Sequence, residues 1–391
     1  MSELQRKAQM KGISSKLPPM PPKGPSSGSR SLSLRLGHPR KRDFSQLPWS
    51  DYFHSCQDVE VDKDNIFRVY RRGAEGPVVL FLHGGGLSSL SWAVLASLVT
   101  KSVRCQCLAM DFRGHGNTVT PNEHDLSAST LARDVGNVIT ALYGDENVPP
   151  IIMVGHSMGG AIAIHAAVQF LVPSLAGLIV IDVVEGTAME ALQGMQSFLR
   201  GRPKQFRSLE YAIEWAVKSG QIRNLESARV SMVGQLKRCS QECQTVSDQV
   251  PSCSASEAIA EEDEELENPK DASSPTQQQE EVSASTSVPY TWRVDLSKSE
   301  TYWKGWFEGM SNLFLSCAVP KMLLIAGVDR LDKDLIVGQM QGKFWMQVLP
   351  QCGHCVHEDQ PQKVADILAS FLVRNKLAEA ADEFVRPSPA C

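Results

Sequence analysis

Residues 151–163 read Ile151-Ile152-Met153-Val154-Gly155-His156-Ser157-Met158-Gly159-Gly160-Ala161-Ile162-Ala163. A short, continuously apolar run enters a Gly-x-Ser-x-Gly turn, and small residues of helical character follow at once. Strand, tight turn and helix in that order make Gly-x-Ser-x-Gly a nucleophile elbow rather than a glycine-rich loop holding an incidental serine. The turn leaves no room for side chains at 155 and 159, so glycine is needed at both. The helix starting behind Ser157 presents N–H groups without intrahelical acceptors to any negative charge that develops beside it.

Outward from this turn the same rhythm repeats. Pro77–Leu82 is apolar and rich in β-formers, as expected of a strand buried on both faces of a parallel sheet. Similar runs stand at Phe67–Tyr70, Cys105–Met110, Leu178–Ile181, Met322–Ala326 and Trp345–Leu349, with helical stretches such as Ser127–Tyr143 between them. The alternation predicts a doubly wound, mostly parallel α/β sheet of the α/β-hydrolase kind. It breaks after Ile181, where Met189, Leu192 and Met195 and then Leu209–Val217 show helical spacing. We read the region of about 186–310 as a helical cap inserted after the sixth strand.

His83-Gly84-Gly85-Gly86 directly follows the Pro77–Leu82 run. Glycines there let the backbone approach a substrate carbonyl and donate to an oxyanion, and the expected donors are Met158 N–H with Gly84 or Gly85 N–H. His354, in Cys352-Gly353-His354 past the last strand, stands where chain order in this fold puts the base. A zinc site from Cys352, His354, Cys355 and His357 is the weaker alternative, since adjacent His and Cys converge poorly on one ion. His357 then reads as a surface or helix-start residue. Two positions compete for the acid that orients the imidazole: Asp182, ending the Leu178–Ile181 strand, and Asp329 or Asp332, after Met322–Ala326. Asp111–Gly116 reads as a structural turn.

Charge separates the chain into regions. Residues 1–43 hold ten Lys or Arg against two acids, and residues 239–289 hold one Lys against twelve acids, so little of the total of −5 remains for the rest. A near-neutral core argues against nucleic acid as a partner. We expect a basic, Pro-rich disordered tail over 1–43, a catalytic domain over 44–377 whose cap contains a disordered acidic loop near 239–289, and a tail over 378–391. Ten cysteines without regular spacing, a polar start and no membrane-length apolar run point to a reducing compartment and no membrane. Pro39-Arg40-Lys41-Arg42 adds a nuclear-import type of cluster, so cytoplasm and nucleus are the expected locations.

Several longer stretches go beyond the superfamily signature. Ile181-Asp182-Val183-Val184-Glu185-Gly186-Thr187-Ala188-Met189, Leu199-Arg200-Gly201-Arg202-Pro203, Ser227–Gln235 and Gly327–Asp334, taken with the elbow and the glycine turn, resemble the protein phosphatase methylesterases. The resemblance runs from about Arg42 to Arg374, interrupted by the acidic loop. It implies a carboxylesterase that removes the methyl ester from the C-terminal leucine of the type 2A protein phosphatase catalytic subunit. The partners it implies are that subunit and its holoenzymes. It also implies that the acid is Asp182, giving a Ser157-His354-Asp182 acyl-enzyme mechanism that calls for no metal and no organic cofactor.

Overall fold

The computed structural model describes residues 42–144, 146, 148–239, 289–327 and 331–381. By its internal contacts the chain divides between Asp43 and Phe44, and the sheet, the cap and the site all belong to the second unit. The expected tail over 1–43 falls almost wholly outside the described residues, as do residues 382–391 of the expected C-terminal tail and the interior of the acidic loop; Glu379–Ala380, placed in that tail by the sequence, instead pairs antiparallel with Val103–Arg104.

Eight strands form the main sheet: β1 (Ser55–Asp62), β2 (Asn65–Arg72), β3 (Val78–Leu82), β4 (Gln106–Met110), β5 (Ile151–His156), β6 (Leu175–Ile181), β7 (Lys321–Ile325) and β8 (Trp345–Val348). Their order is β1-β2-β4-β3-β5-β6-β7-β8. β2 pairs antiparallel with both β1 and β4, and every pairing from β4 to β8 is parallel. This is the α/β-hydrolase architecture the alternating runs predict. The sequence reading passed over β1, because that edge strand is largely exposed and carries no apolar run.

The continuously apolar strands are explained by their two neighbours. In β3, Val78, Leu80 and Leu82 face a core built with the helices Ala128–Tyr143 and Met158–Val168. Val79 and Phe81 face the opposite core, built with the helices Ala93–Ser102 and Pro361–Arg374. Period-two alternation thus divides one apolar run between two dry layers. The helix over 128–143 begins where its cap residue dictates, with the Ser127 hydroxyl accepting from Thr130 N at 3.4 Å.

Between β6 and β7 the described residues form five α-helices, among them Glu185–Arg200, Leu209–Lys218 and Glu300–Phe307. The cap is not purely helical as expected. A three-stranded sheet orders Gln205–Phe206, Tyr290–Trp292 and Leu236–Arg238. Strands of two or three residues are too short to show periodicity, which is why the sequence reading passed over them. Phe206, Ile213, Ile222 and Met232 give the cap its own small core. Cys239 N donates to Pro289 O at 2.8 Å, so the two ends of the acidic insertion leave the cap side by side. Glu185 joins the cap to its exit, its two carboxylate oxygens accepting from Gly309 N at 2.8 Å and Ser311 N at 3.0 Å.

Candidate active site

The elbow between β5 and the helix Met158–Val168 is as tight as its glycines imply. A Cβ on Gly155 would lie 2.3 Å from Gly159 O, and one on Gly159 would lie 2.2 Å from Leu82 O. Ser157 takes φ +52°, ψ −121°, a backbone conformation that costs a non-glycine residue on the order of 1–3 kcal/mol. The strain turns its side chain out of the sheet, at the N-terminus of a helix in which nine residues are buried.

Asp182, at the end of β6, also holds a positive φ, +50°. It is 4% exposed. Its backbone N–H donates to Leu324 O at 2.7 Å, so β7 grips the residue just as β6 ends. One carboxylate oxygen accepts from Ala326 N at 2.9 Å, and the other lies 2.8 Å from His354 Nδ1. The bond to Asp182 makes Nδ1 the protonated nitrogen when the imidazole is neutral and leaves Nε2 as its basic atom. Of the other two acid candidates, Asp332 caps the next helix, accepting from Leu335 N at 2.9 Å and from Ser311 Oγ at 2.5 Å. Asp329 lies outside the described residues.

Two neighbours hold the His354 loop. Asp359 accepts from Gly353 N at 2.6 Å and from Arg223 N at 2.8 Å. His156, between the elbow's first glycine and Ser157, donates from Nε2 to His354 O at 2.9 Å. Burial keeps the His156 imidazole neutral, well below the ordinary histidine range. Among the described residues Ser157 Oγ makes no hydrogen bond to His354, whose ring is bound through Asp182 alone.

The glycine turn comes against the elbow. A Cβ on Gly84 would sit 2.8 Å from His156 Nδ1 and 3.4 Å from Ser157 Cβ. Gly86 has φ +75°, and its N–H is occupied by His115 Nε2 at 3.0 Å. His83 reaches the other way, its Nε2 accepting from Phe112 N at 3.0 Å while Nδ1 donates to Gly84 O at 2.8 Å. Both rings are buried; desolvation lowers His83 to about 4 and His115 to about 3, so each stays neutral and can accept as well as donate. Asp111 completes the brace, accepting from Ser89 N at 2.7 Å and Asn117 N at 2.8 Å. The Asp111–Gly116 turn is therefore the scaffold of the glycine turn. A motif match can identify such a turn but cannot say what it supports.

His357 corrects the sequence reading. It is not a surface residue: it is fully buried, stacks on Trp92 with ring centroids 4.1 Å apart, and is lowered by desolvation to about 3. It does lie in the first turn of the short helix Val356–Asp359, as its position suggested.

Ser157, Met158, Gly84, Gly85 and His354 line one cleft of about 580 Å³ between sheet and cap. Leu192, Met195, Phe198, Trp215, Trp303 and Phe307 make most of its wall apolar. Such a wall suits an apolar group. No helix among the described residues is long and apolar enough to cross a membrane.

Fold and site together define a serine hydrolase of the α/β-hydrolase class, and residues 79–367 match the alpha/beta hydrolase family model. Solved structures share the fold: an esterase of Mycobacterium tuberculosis at TM-score 0.55 and 20% identity, covering 82% of this chain and 92% of that one. E-2-(acetamidomethylene)succinate hydrolase matches at TM-score 0.57 and 17% identity, over 82% and 99% of the two chains. Within that class the chain belongs to the protein phosphatase methylesterase family. It is 57% identical over 380 residues to protein phosphatase methylesterase 1 of Homo sapiens, covering 96% of this chain and 97% of that protein. The Mus musculus protein is 56% identical over the same shares, and a probable methylesterase of Caenorhabditis elegans is 45% identical over 87% of this chain and 80% of its own length.

Proposed function

We propose that this chain hydrolyses the methyl ester on the C-terminal leucine carboxylate of the type 2A protein phosphatase catalytic subunit, free or in holoenzymes, through a Ser157-His354-Asp182 acyl-enzyme. One observation carries the mechanism: a buried carboxylate is held 2.8 Å from the imidazole that shares an apolar cleft with the strained Ser157. As the ester enters, His354 Nε2 takes the Ser157 hydroxyl proton and Oγ attacks the carbonyl carbon. Asp182 stabilises the imidazolium without itself being protonated. The oxyanion is received by Met158 N–H, at the start of its helix, and by Gly84 or Gly85 N–H; Gly86 N–H is already engaged. Methanol leaves with the proton from His354. A water activated by the same nitrogen then cleaves the acyl-enzyme, freeing the leucine carboxylate and restoring Ser157.

A methyl group offers little to recognise, so specificity has to come from the peptide in the cleft and the phosphatase surface around it. The reaction uses neither nucleic acid nor membrane, and the free thiols and the Pro39–Arg42 cluster support action in cytoplasm and nucleus. Methylated phosphatase incubated with the full chain should release its methyl group as methanol, and the Ser157→Ala variant should release none. Retention of the ester by an otherwise active esterase would overturn the assignment.

A further inference from the structure

The cleft wall contains a cation with no carboxylate to neutralise it among the described residues. Arg202 follows the cap helix Glu185–Arg200, and its guanidinium carbon lies 3.5 Å from the centroid of the Trp292 ring. Trp292 is itself pinned by its Nε1–H donating to Pro203 O at 2.7 Å. Stacking uses the face of the guanidinium and leaves its in-plane N–H fork for another partner. Arg202 Nε is closed off from solvent and has no hydrogen-bond acceptor. Among the described residues no carboxylate pairs with Arg202, whereas the buried Arg113 is held by both oxygens of Asp134 at 2.7 Å each. Desolvation lowers Arg202 to about 10. A second unsatisfied donor lines the same cleft: Gln235 is 2% exposed, its Oε1 accepts from Gln221 Nε2 at 3.4 Å, and its Nε2 has no partner.

A backbone carbonyl could satisfy these N–H groups but would leave the desolvated charge uncompensated. An anion would satisfy the same N–H groups and also offset the cost of holding this partly exposed guanidinium beside an apolar wall. We propose that Arg202, with Gln235 as a second donor, receives a carboxylate side chain that the substrate peptide carries a few residues before its esterified terminus. The enzyme then selects acidic C-terminal segments, with the apolar wall taking the terminal side chain and Arg202 reading the acid. This rests on the methylesterase reading above, because that reading puts a peptide in the cleft.

The test uses acetylated peptides ending in leucine, with Asp at one position before the terminus and alanine elsewhere, each matched by its Asn counterpart. As C-terminal amides they compete with p-nitrophenyl acetate for the full chain; as methyl esters they serve as substrates. At one or more positions the Asp amide should inhibit about tenfold more strongly than the Asn amide, the worth of one charge-assisted hydrogen bond. The methyl esters should show the same ratio in kcat/KM, carried by KM. Arg202→Gln should bring the ratio to about one, and Arg202→Lys, which keeps charge but loses the planar fork, should retain part of it. Each ratio is taken within one variant, so changes in folding or basal turnover cancel. Equal inhibition by Asp and Asn peptides at every position, or a preference that survives Arg202→Gln, overturns the assignment. Asp-selective inhibition without turnover of the methyl esters supports the Arg202 site and overturns the methylesterase reading instead.

Discussion

Asp182 Oδ2 lies 2.8 Å from His354 Nδ1, although 172 residues of chain separate the two. Two strand ends meet to make that contact: β6 delivers the carboxylate, and β7 fixes it through the Leu324 carbonyl and the Ala326 N–H. Asp182→Asn should therefore keep the fold and lower kcat by roughly 10⁴-fold, because an amide cannot hold the imidazole in the required tautomer. Asp332→Ala should leave kcat unchanged and cost about 1 kcal/mol of stability, since Asp332 caps a helix. Steady-state kinetics with thermal melts of both variants separate the two acids, and a reversed pattern would move the triad to the later strand.

The strained elbow should be visible in stability as well as in rate. Ser157→Ala and Ser157→Gly should both abolish fluorophosphonate labelling and ester turnover. The glycine variant should be the more stable of the two by about 1 kcal/mol, because only glycine accepts φ +52° without strain. Equal melting temperatures for the two variants would show that the elbow stores no strain.

The acidic insertion should be dispensable for folding. Cys239 and Pro289 are already joined by a backbone hydrogen bond across the cap sheet, so a short Gly/Ser turn can replace residues 240–288. Closure entropy then favours the shortened chain by about 0.6 kcal/mol for each halving of the loop. Hydrolysis of a small activated ester should persist, and melting should stay level or rise. A clear loss of melting temperature would show that the segment contributes packing.

Glu358 provides a pH signature. It is fully buried, and desolvation pushes its carboxyl from 4.5 up to about 8, countered only in part by the neighbouring Ser231 and Cys355. Between those values the folded state keeps a proton that the unfolded state has lost, so this contribution falls as pH rises through that window. The buried His83, His115, His156 and His357 act with the opposite sign, gaining stability as pH rises through 6.5. Taken as the difference between the chain and its Glu358→Gln variant, in which the histidine contributions cancel, the Glu358 contribution should fall by about 2 kcal/mol from pH 6.5 to 8. Denaturant midpoints of both proteins across the range read that difference; one that stays constant would place the titration elsewhere.

Much of this architecture could be read from the chain because it rests on local rules. Apolar runs mark strands β3 to β7 because parallel strands covered on both faces cannot alternate polar and apolar residues. Gly155 and Gly159 announce the elbow because any larger side chain would collide with backbone less than 2.5 Å away. The parts that were not legible lack such a local signature. β1 is exposed, the cap strands are too short to show a period, and His357 sits in a sequence context that gives no sign of its burial against Trp92.

The sequence by itself determined the class of sheet, the place of the elbow and the glycine turn, because steric requirements act between residues close in the chain. Only the tertiary structure brought Asp182 to His354, and the residues' own spacing had left Asp182, Asp329 and Asp332 open. It likewise tied His156 to the His354 carbonyl, set His83 and His115 under the glycine turn, and put Arg202 in the cleft wall with no carboxylate partner among the described residues. Each of these depends on which strand ends and loops become neighbours, and on how much water is excluded where they meet. Burial decides whether a carboxylate, an imidazole or a guanidinium requires a partner, and burial is a property of the assembled layers rather than of any segment.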